Sequence, residues 1–289
     1  MRRIIIYLLL SVIASCNSGP TRPAGNTISV SIPPIAYFVK SIGAEKYDVN
    51  VLVPPGADPH IYEPVPGQIT ALRNSIAYIS NGHLSFEMNW LGKFYETNPS
   101  MKKLDLSSDM DLIGVTDEHE GHGHGEGADP HFWISPKRAA TFARDIFNFM
   151  CGLSPADTSD FRKNYSVLSG EIEYADSLAT SRLAPYKGKT FMIFHPALGY
   201  IALDYGLIQL AVETEGKEPS ASDMRHLIDE AREQNIKVIL VQKGFDTKNA
   251  NAIASETGAV VRVIDPLAED WKSAVTEIIN ILADSFEKQ

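Results

Sequence analysis

Residues 155–183, PADTSDFRKNYSVLSGEIEYADSLATSRL, place Phe161, Tyr165, Leu168, Ile172, Ala175 and Ala179 at spacings of four, three, four, three and four. That is the period of one face of a helix. Its 29 residues, rising 1.5 Å each, give a rod of roughly 43 Å, enough to run the height of two lobes. Pro185 and Gly188 stop it, because proline lacks the helical N–H donor and glycine suits the exit. A coiled-coil partner helix is the competing reading, disfavoured by the shortness and aromatic content of the stripe.

On either side of this rod the pattern changes to short β-branched runs alternating with helical stretches. Residues 27–32 (TISVSI), 48–53 (DVNVLV) and 76–80 (IAYIS) read as strands before it. Residues 190–195 (TFMIFH), 237–242 (KVILVQ) and 259–264 (AVVRVI) read as strands after it. Helical segments fall at 36–42, 67–74 and 223–234, the last opening near Pro219-Ser220 with Ser222 as its cap. Such alternation calls for parallel sheets covered by helices. The expected fold is therefore α/β: an N-terminal lobe over residues 27–153, a linking helix over 154–184 and a C-terminal lobe over 185–289.

The chain has 289 residues, 26 Lys+Arg against 36 Asp+Glu, and a formal charge of −10. With 44% hydrophobic residues it has the composition of a folded globular protein. Its acidity repels phosphate backbones and argues against a nucleic-acid partner. Two cysteines, Cys16 and Cys151, exclude a disulfide scaffold and a cysteine-type zinc finger. Arg2 and Arg3 precede an apolar run over residues 4–13 and then Ala14-Ser15-Cys16. The run is too short for a mature membrane span, and the order of regions is that of a secretory signal over residues 1–15. Cysteine after small residues resembles a bacterial lipobox, in which Cys16 is lipidated and residues 16–26 tether the body to a membrane. A plain signal peptide with an incidental cysteine is the alternative.

Of the eight histidines, His119, His122 and His124 lie in the stretch EHEGHGHGEG, residues 118–127. Its glycines deny it fixed geometry, so it is expected to capture a divalent cation only loosely. His60 (PPGADPHIYEP) and His195 (FHPALGY) follow strands, as does Asp265 (DPL), and His131 (DPHFWISP) follows the histidine-rich stretch. Ligands in parallel α/β sheets bind beyond the carboxyl ends of strands. Prolines beside each residue restrict the backbone and cut the entropy lost on ligation. Three imidazoles and a carboxylate suit tetrahedral Zn²⁺, whereas Mn²⁺ prefers more oxygen. Proton competition at such a site is expected as pH falls through about 6.5. His83 could reach the ion but reads better as a structural hydrogen-bonding residue, and His226 as a solvated helix face. No HExxH pairing supports a zinc hydrolase, and a closed four-ligand set leaves substrate no position.

The stretches PPGADPHIYEP, DPHFWISP, FHPALGY, EPSASD and VIDPL together resemble the ZnuA/TroA-like zinc and manganese solute-binding proteins of bacterial ABC importers. The resemblance covers essentially the whole mature chain. It implies two similar lobes bridged by one long backbone helix, with the metal between them on His60, His131, His195 and Asp265. It also implies an extracytoplasmic, lipid-anchored monomer that passes Zn²⁺ to an ABC permease and is not an enzyme. Mn²⁺ or Fe²⁺ transport and metal-dependent adhesion are the alternatives within the same fold. The sequence departs from the family pattern at Pro59, at Pro196, and at NGHLSFEMNW, where Leu-Glu-x-Trp is usual.

Overall fold

A computed structural model of the chain describes residues 25–114, 127–213 and 217–289. Cys16, His119, His122 and His124 lie outside the described residues. Among those described, no helix is long and apolar enough to cross a membrane.

Two four-stranded parallel sheets carry the architecture. The first contains β1 (Thr27–Val30), β2 (Asp48–Val51), β3 (Ala77–Ser80) and β4 (Lys102–Asp105), in the order β2-β1-β3-β4. The second contains β5 (Thr190–Ile193), β6 (Ile208–Ala211), β7 (Val238–Gln242) and β8 (Val260–Ile264), in the order β6-β5-β7-β8. The central strands β3, β5 and β7 are buried along their whole length, as expected of parallel strands covered on both faces. β4 and β6 were not anticipated. Both are sheet edges; the Lys102-Lys103-Leu104-Asp105 segment is largely solvated and lacks an apolar run, whereas β6 lies within the apolar residues 207–212.

The helices are α1 (Pro33–Gly43), α2 (Pro66–Arg73), α3 (Ser85–Thr97), α4 (Pro136–Leu153), α5 (Thr158–Leu183), α6 (Gly199–Tyr205), α7 (Ala221–Glu233), α8 (Lys248–Thr257) and α9 (Trp271–Glu287). Proline occupies the first turn of α1, α2 and α4, where its missing N–H costs nothing. The cap of α7 is Ser220 rather than Ser222. Its hydroxyl accepts from Asp223 N–H at 3.3 Å while the Asp223 carboxylate accepts from Ser220 N–H at 2.9 Å, a reciprocal box.

The long helix α5 has 26 residues, about 39 Å, after a short 3₁₀ turn at Pro155–Asp157. Its stripe of Phe161, Leu168, Ile172, Ala175, Ala179 and Leu183 is buried. It is no free-standing strut. α1, α4 and α9 pack along it, and one continuous apolar core runs from the first sheet through these helices to β5. A second, smaller core lies on the other face of the second sheet, around Met192, Ile239 and Leu227.

Two tryptophans clasp the lobes together behind the strand ends. Trp133 Nε1 donates to the Pro266 carbonyl at 2.9 Å, and Trp271 Nε1 donates to the Trp133 carbonyl at 2.7 Å. Trp271 also meets Phe38 of α1 edge-on at 5.2 Å. Nearby, the Arg138 guanidinium of α4 grips Asp204 of α6 through two bonds of 3.0 and 2.8 Å. These ties fix the loops beyond the strands of one sheet against those of the other.

Candidate metal centre

His60 lies in the loop that leaves β2, His131 opens a 3₁₀ turn (His131–Ile134) before α4, and His195 lies two residues beyond the end of β5. The tripeptide Asp-Pro-His occurs twice, at 58–60 and 129–131, and folds the same way both times. In each, the aspartate Oδ1 accepts the backbone N–H of the histidine two residues on, at 2.8 Å for Asp58 and 2.9 Å for Asp129. This Asx turn, stiffened by the intervening proline, aims the imidazole before any ligand arrives. The outcomes differ at the ring. Asp129 Oδ1 also lies 2.7 Å from His131 Nδ1, whereas His60 Nδ1 has only the Ser85 hydroxyl, at 3.5 Å.

His195 is held on three sides. Gln242, at the end of β7, exchanges hydrogen bonds with its backbone N–H and carbonyl. Phe245 stacks on its ring with centroids 5.2 Å apart. Glu213, buried just beyond β6, places Oε1 3.2 Å from His195 Nδ1.

The three rings converge. Their centroids are 5.3 Å apart for His60–His131, 4.7 Å for His60–His195 and 5.2 Å for His131–His195. One nitrogen from each lies within 4.8 Å of the other two. His131 Nε2 and His195 Nε2 are 3.4 Å apart. Carboxylates accepting from both Nδ1 atoms set the tautomers and leave both Nε2 atoms as lone-pair donors. Two lone pairs facing each other at this distance repel, and a cation between them removes the repulsion. Tetrahedral ligation at 2.0–2.1 Å requires nitrogens about 3.3–3.4 Å apart, so this pair already has the spacing of a zinc site. His60 Nε2 is buried without a hydrogen-bond partner. Burial first, then the neighbouring His131 and His195, pushes the His60 imidazole down to about 3. The ring is therefore uncharged at pH 6.5, as ligation requires.

The remaining candidates are placed as follows. Asp265, immediately after β8, lines the same cleft but stands outside the three-histidine cluster, its Oδ2 2.9 Å from Lys243 Nζ. His83 also stands outside it, with its backbone N–H bonded to Asn81 Oδ1 at 3.2 Å. His226 is exposed on α7, 3.8 Å from Glu230. Glu87, in the segment where the sequence departs from Leu-Glu-x-Trp, is fully buried and structural. It accepts from Ser31 Oγ, from Tyr78 OH at 2.9 Å and from the N–H groups of Asn81 and Gly82 at 3.1 and 2.7 Å. Burial raises its carboxyl above the ordinary range, tempered by these donors. Gly82 has φ +103°, and a Cβ there would strike Asp105 and Ser107. The loop so fixed reaches the metal centre, since Asn81 Nδ2 donates to the Pro130 carbonyl at 2.9 Å, next to His131.

Asp129 and Glu213 escaped the sequence reading. The repeated Asp-Pro-His tripeptide could have revealed the first. The second follows the apolar run at residues 207–212, whose reading as a strand could have pointed to it.

The family described as "Zinc-uptake complex component A periplasmic" matches residues 28–285. The chain belongs to this family. A crystal structure of ZnuA shares 37% identity with it at a TM-score of 0.82, covering 90% of this chain and 98% of that one. The high-affinity zinc uptake system protein ZnuA of Bacillus subtilis is 28% identical, with 91% of this chain and 87% of that protein covered. The zinc-binding lipoprotein AdcA of Streptococcus pneumoniae is 27% identical over 91% of this chain. The chain spans about half the length of AdcA, 55% of it. Like ZnuA, it has the two-lobe fold of parallel sheets with a long helix between them.

Proposed function

We propose that this chain is the extracytoplasmic receptor of a bacterial ABC importer, capturing Zn²⁺ between its lobes and delivering it to a permease. The observation that carries the reading is the pair of Nε2 atoms of His131 and His195, 3.4 Å apart, each backed by a carboxylate on its far side. His60 completes the nitrogen set, and Asp265, which lines the same cleft, is the candidate for a fourth donor once Lys243 is displaced. Three imidazoles favour zinc over manganese, which seeks oxygen. The basic and apolar residues ahead of Cys16 support export and lipid anchorage, with no nucleic acid involved and the chain acting as a monomer. The histidine-rich stretch at His119, His122 and His124 serves as an accessory capture segment.

The reading assigns no catalysis. Asp129 and Glu213, the carboxylates against the imidazole Nδ1 atoms, serve to orient them. Elemental analysis of the purified protein should find zinc. Replacing His60, His131 or His195 by Ala should weaken zinc binding by roughly a hundredfold or more in competition with a chelator. Tight binding surviving all three replacements together would refute the site.

A further inference from the structure

Lys243 follows β7 directly, and its N–H donates to the Ile264 carbonyl at 2.8 Å, which sets it beside Asp265 at the end of β8. The same turn carries Phe245, stacked on His195. Lys243 and Asp265 thus line the cleft that holds the three histidines. Two acids line that cleft among the described residues. Asp58 accepts from His60 N–H, and Asp265 holds the Lys243 ammonium at 2.9 Å.

The charges around the imidazoles explain why this pairing matters. Asp129 and Glu213, each against an Nδ1, already offset the two charges of a divalent ion on the three histidines. The Lys243–Asp265 pair adds none. An ion that takes Asp265 as a ligand must first displace the ammonium, and thereafter sits near an uncompensated positive charge. The Lys243 side chain is 66% exposed, so it can swing into water when displaced. Displacement costs little for an exposed pair, but the cost falls unequally on different ions. Zinc is satisfied by imidazole, whereas manganese needs carboxylate oxygen.

We propose that Lys243 is a specificity-determining residue, an internal cation that competes with the incoming ion for Asp265 and so disfavours oxygen-seeking divalent ions relative to zinc. This rests on the three histidines being the ligands. It goes beyond that reading by assigning metal preference to a residue that touches no metal.

The test uses the full chain with Lys243→Gln, Lys243→Arg, Asp265→Asn and the double variant Lys243→Gln/Asp265→Asn. Each is titrated with Zn²⁺ and with Mn²⁺ in chelator-buffered solution. Removing a positive charge strengthens both ions through space, so the informative quantity is the Mn²⁺:Zn²⁺ affinity ratio. Lys243→Gln should raise that ratio by roughly fivefold, the upper end of what an exposed ion pair contributes. Lys243→Arg should leave it within about twofold of the parent, since the charge remains. In the Asp265→Asn background, Lys243→Gln should no longer change the ratio. A ratio unchanged by Lys243→Gln would overturn the proposal, as would a shift that persists without Asp265. Failure of the parent to bind zinc would instead refute the receptor reading, and the proposal with it.

Discussion

Glu213→Gln isolates what the carboxylate behind His195 contributes. The substitution keeps shape and volume, and the amide oxygen can still accept from Nδ1, so only the charge is lost. A hydrogen bond to a charged group contributes about 1.5–3 kcal/mol, a neutral one about 0.5–1.5. The difference, about 1–1.5 kcal/mol, corresponds to roughly a five- to tenfold loss of zinc affinity. The 3.2 Å separation places Glu213 toward the lower end. Asp129→Asn should cost more, because Asp129 reaches His131 Nδ1 at 2.7 Å. Asp58→Asn should cost about twofold or less, since Asp58 holds a backbone N–H and no imidazole nitrogen. Chelator competition measures the ranking, and thermal unfolding of the metal-free variants supplies the control. Without an ion, Glu213 is a buried carboxylate, 7% exposed, beside an imidazole. Its neutralisation should leave metal-free stability unchanged or raised. Zinc affinity within twofold of the parent would refute the positioning role, and so would an equal loss of metal-free stability, which would mark Glu213 as merely structural.

Two further outcomes are expected. The unfolded chain takes up a proton on His60 near pH 6.5, but the folded protein resists it until about 3, so this histidine's stabilising share is complete above 6.5 and is lost as pH falls toward 3. Metal-free protein should lose stability between pH 7 and 4, and His60→Gln should lose less over that window; parallel curves in denaturant titrations would contradict the burial argument. Trp271→Phe removes the donor to the buried Trp133 carbonyl and should destabilise the protein by about 1–3 kcal/mol, measurable as a shifted urea midpoint, with no change signalling that water replaces the indole.

The sequence reveals strands by their β-branched runs, at the sheet centres and at the β2 and β8 edges alike. TISV, AYIS and VILVQ carry β-branched and aromatic residues because helices cover both sides of them. KKLD, at an edge, is largely solvated and looks like loop, whereas IQLA lies within the apolar run LIQLAV, residues 207–212, which the sequence reading left unassigned. The loss of β6 hid Glu213, whose meaning depends on following a strand. The three histidines were readable because a neighbouring proline marks each of them locally, and for His60 and His195 a preceding strand as well. Asp129 was visible as a turn residue, but its grip on the ring is a matter of side-chain reach that spacing does not encode, as the silent counterpart Asp58 shows. The pH behaviour of His60 was read from the free imidazole, and its burial, then its neighbours His131 and His195, shift it, which spacing does not encode.

The indole clasp of Trp133, Pro266 and Trp271 has a kinetic corollary. Proteins whose halves swing apart exchange their contents at the pace of domain opening, typically microseconds to milliseconds. Here the rear seam is stitched through buried donors, and the aperture at the front is framed by short turns around His60, Lys243 and Asp265. Under the proposed delivery to a permease, unloading begins with those turns being prised away, so residence time is governed at the rim and can evolve without retuning the body.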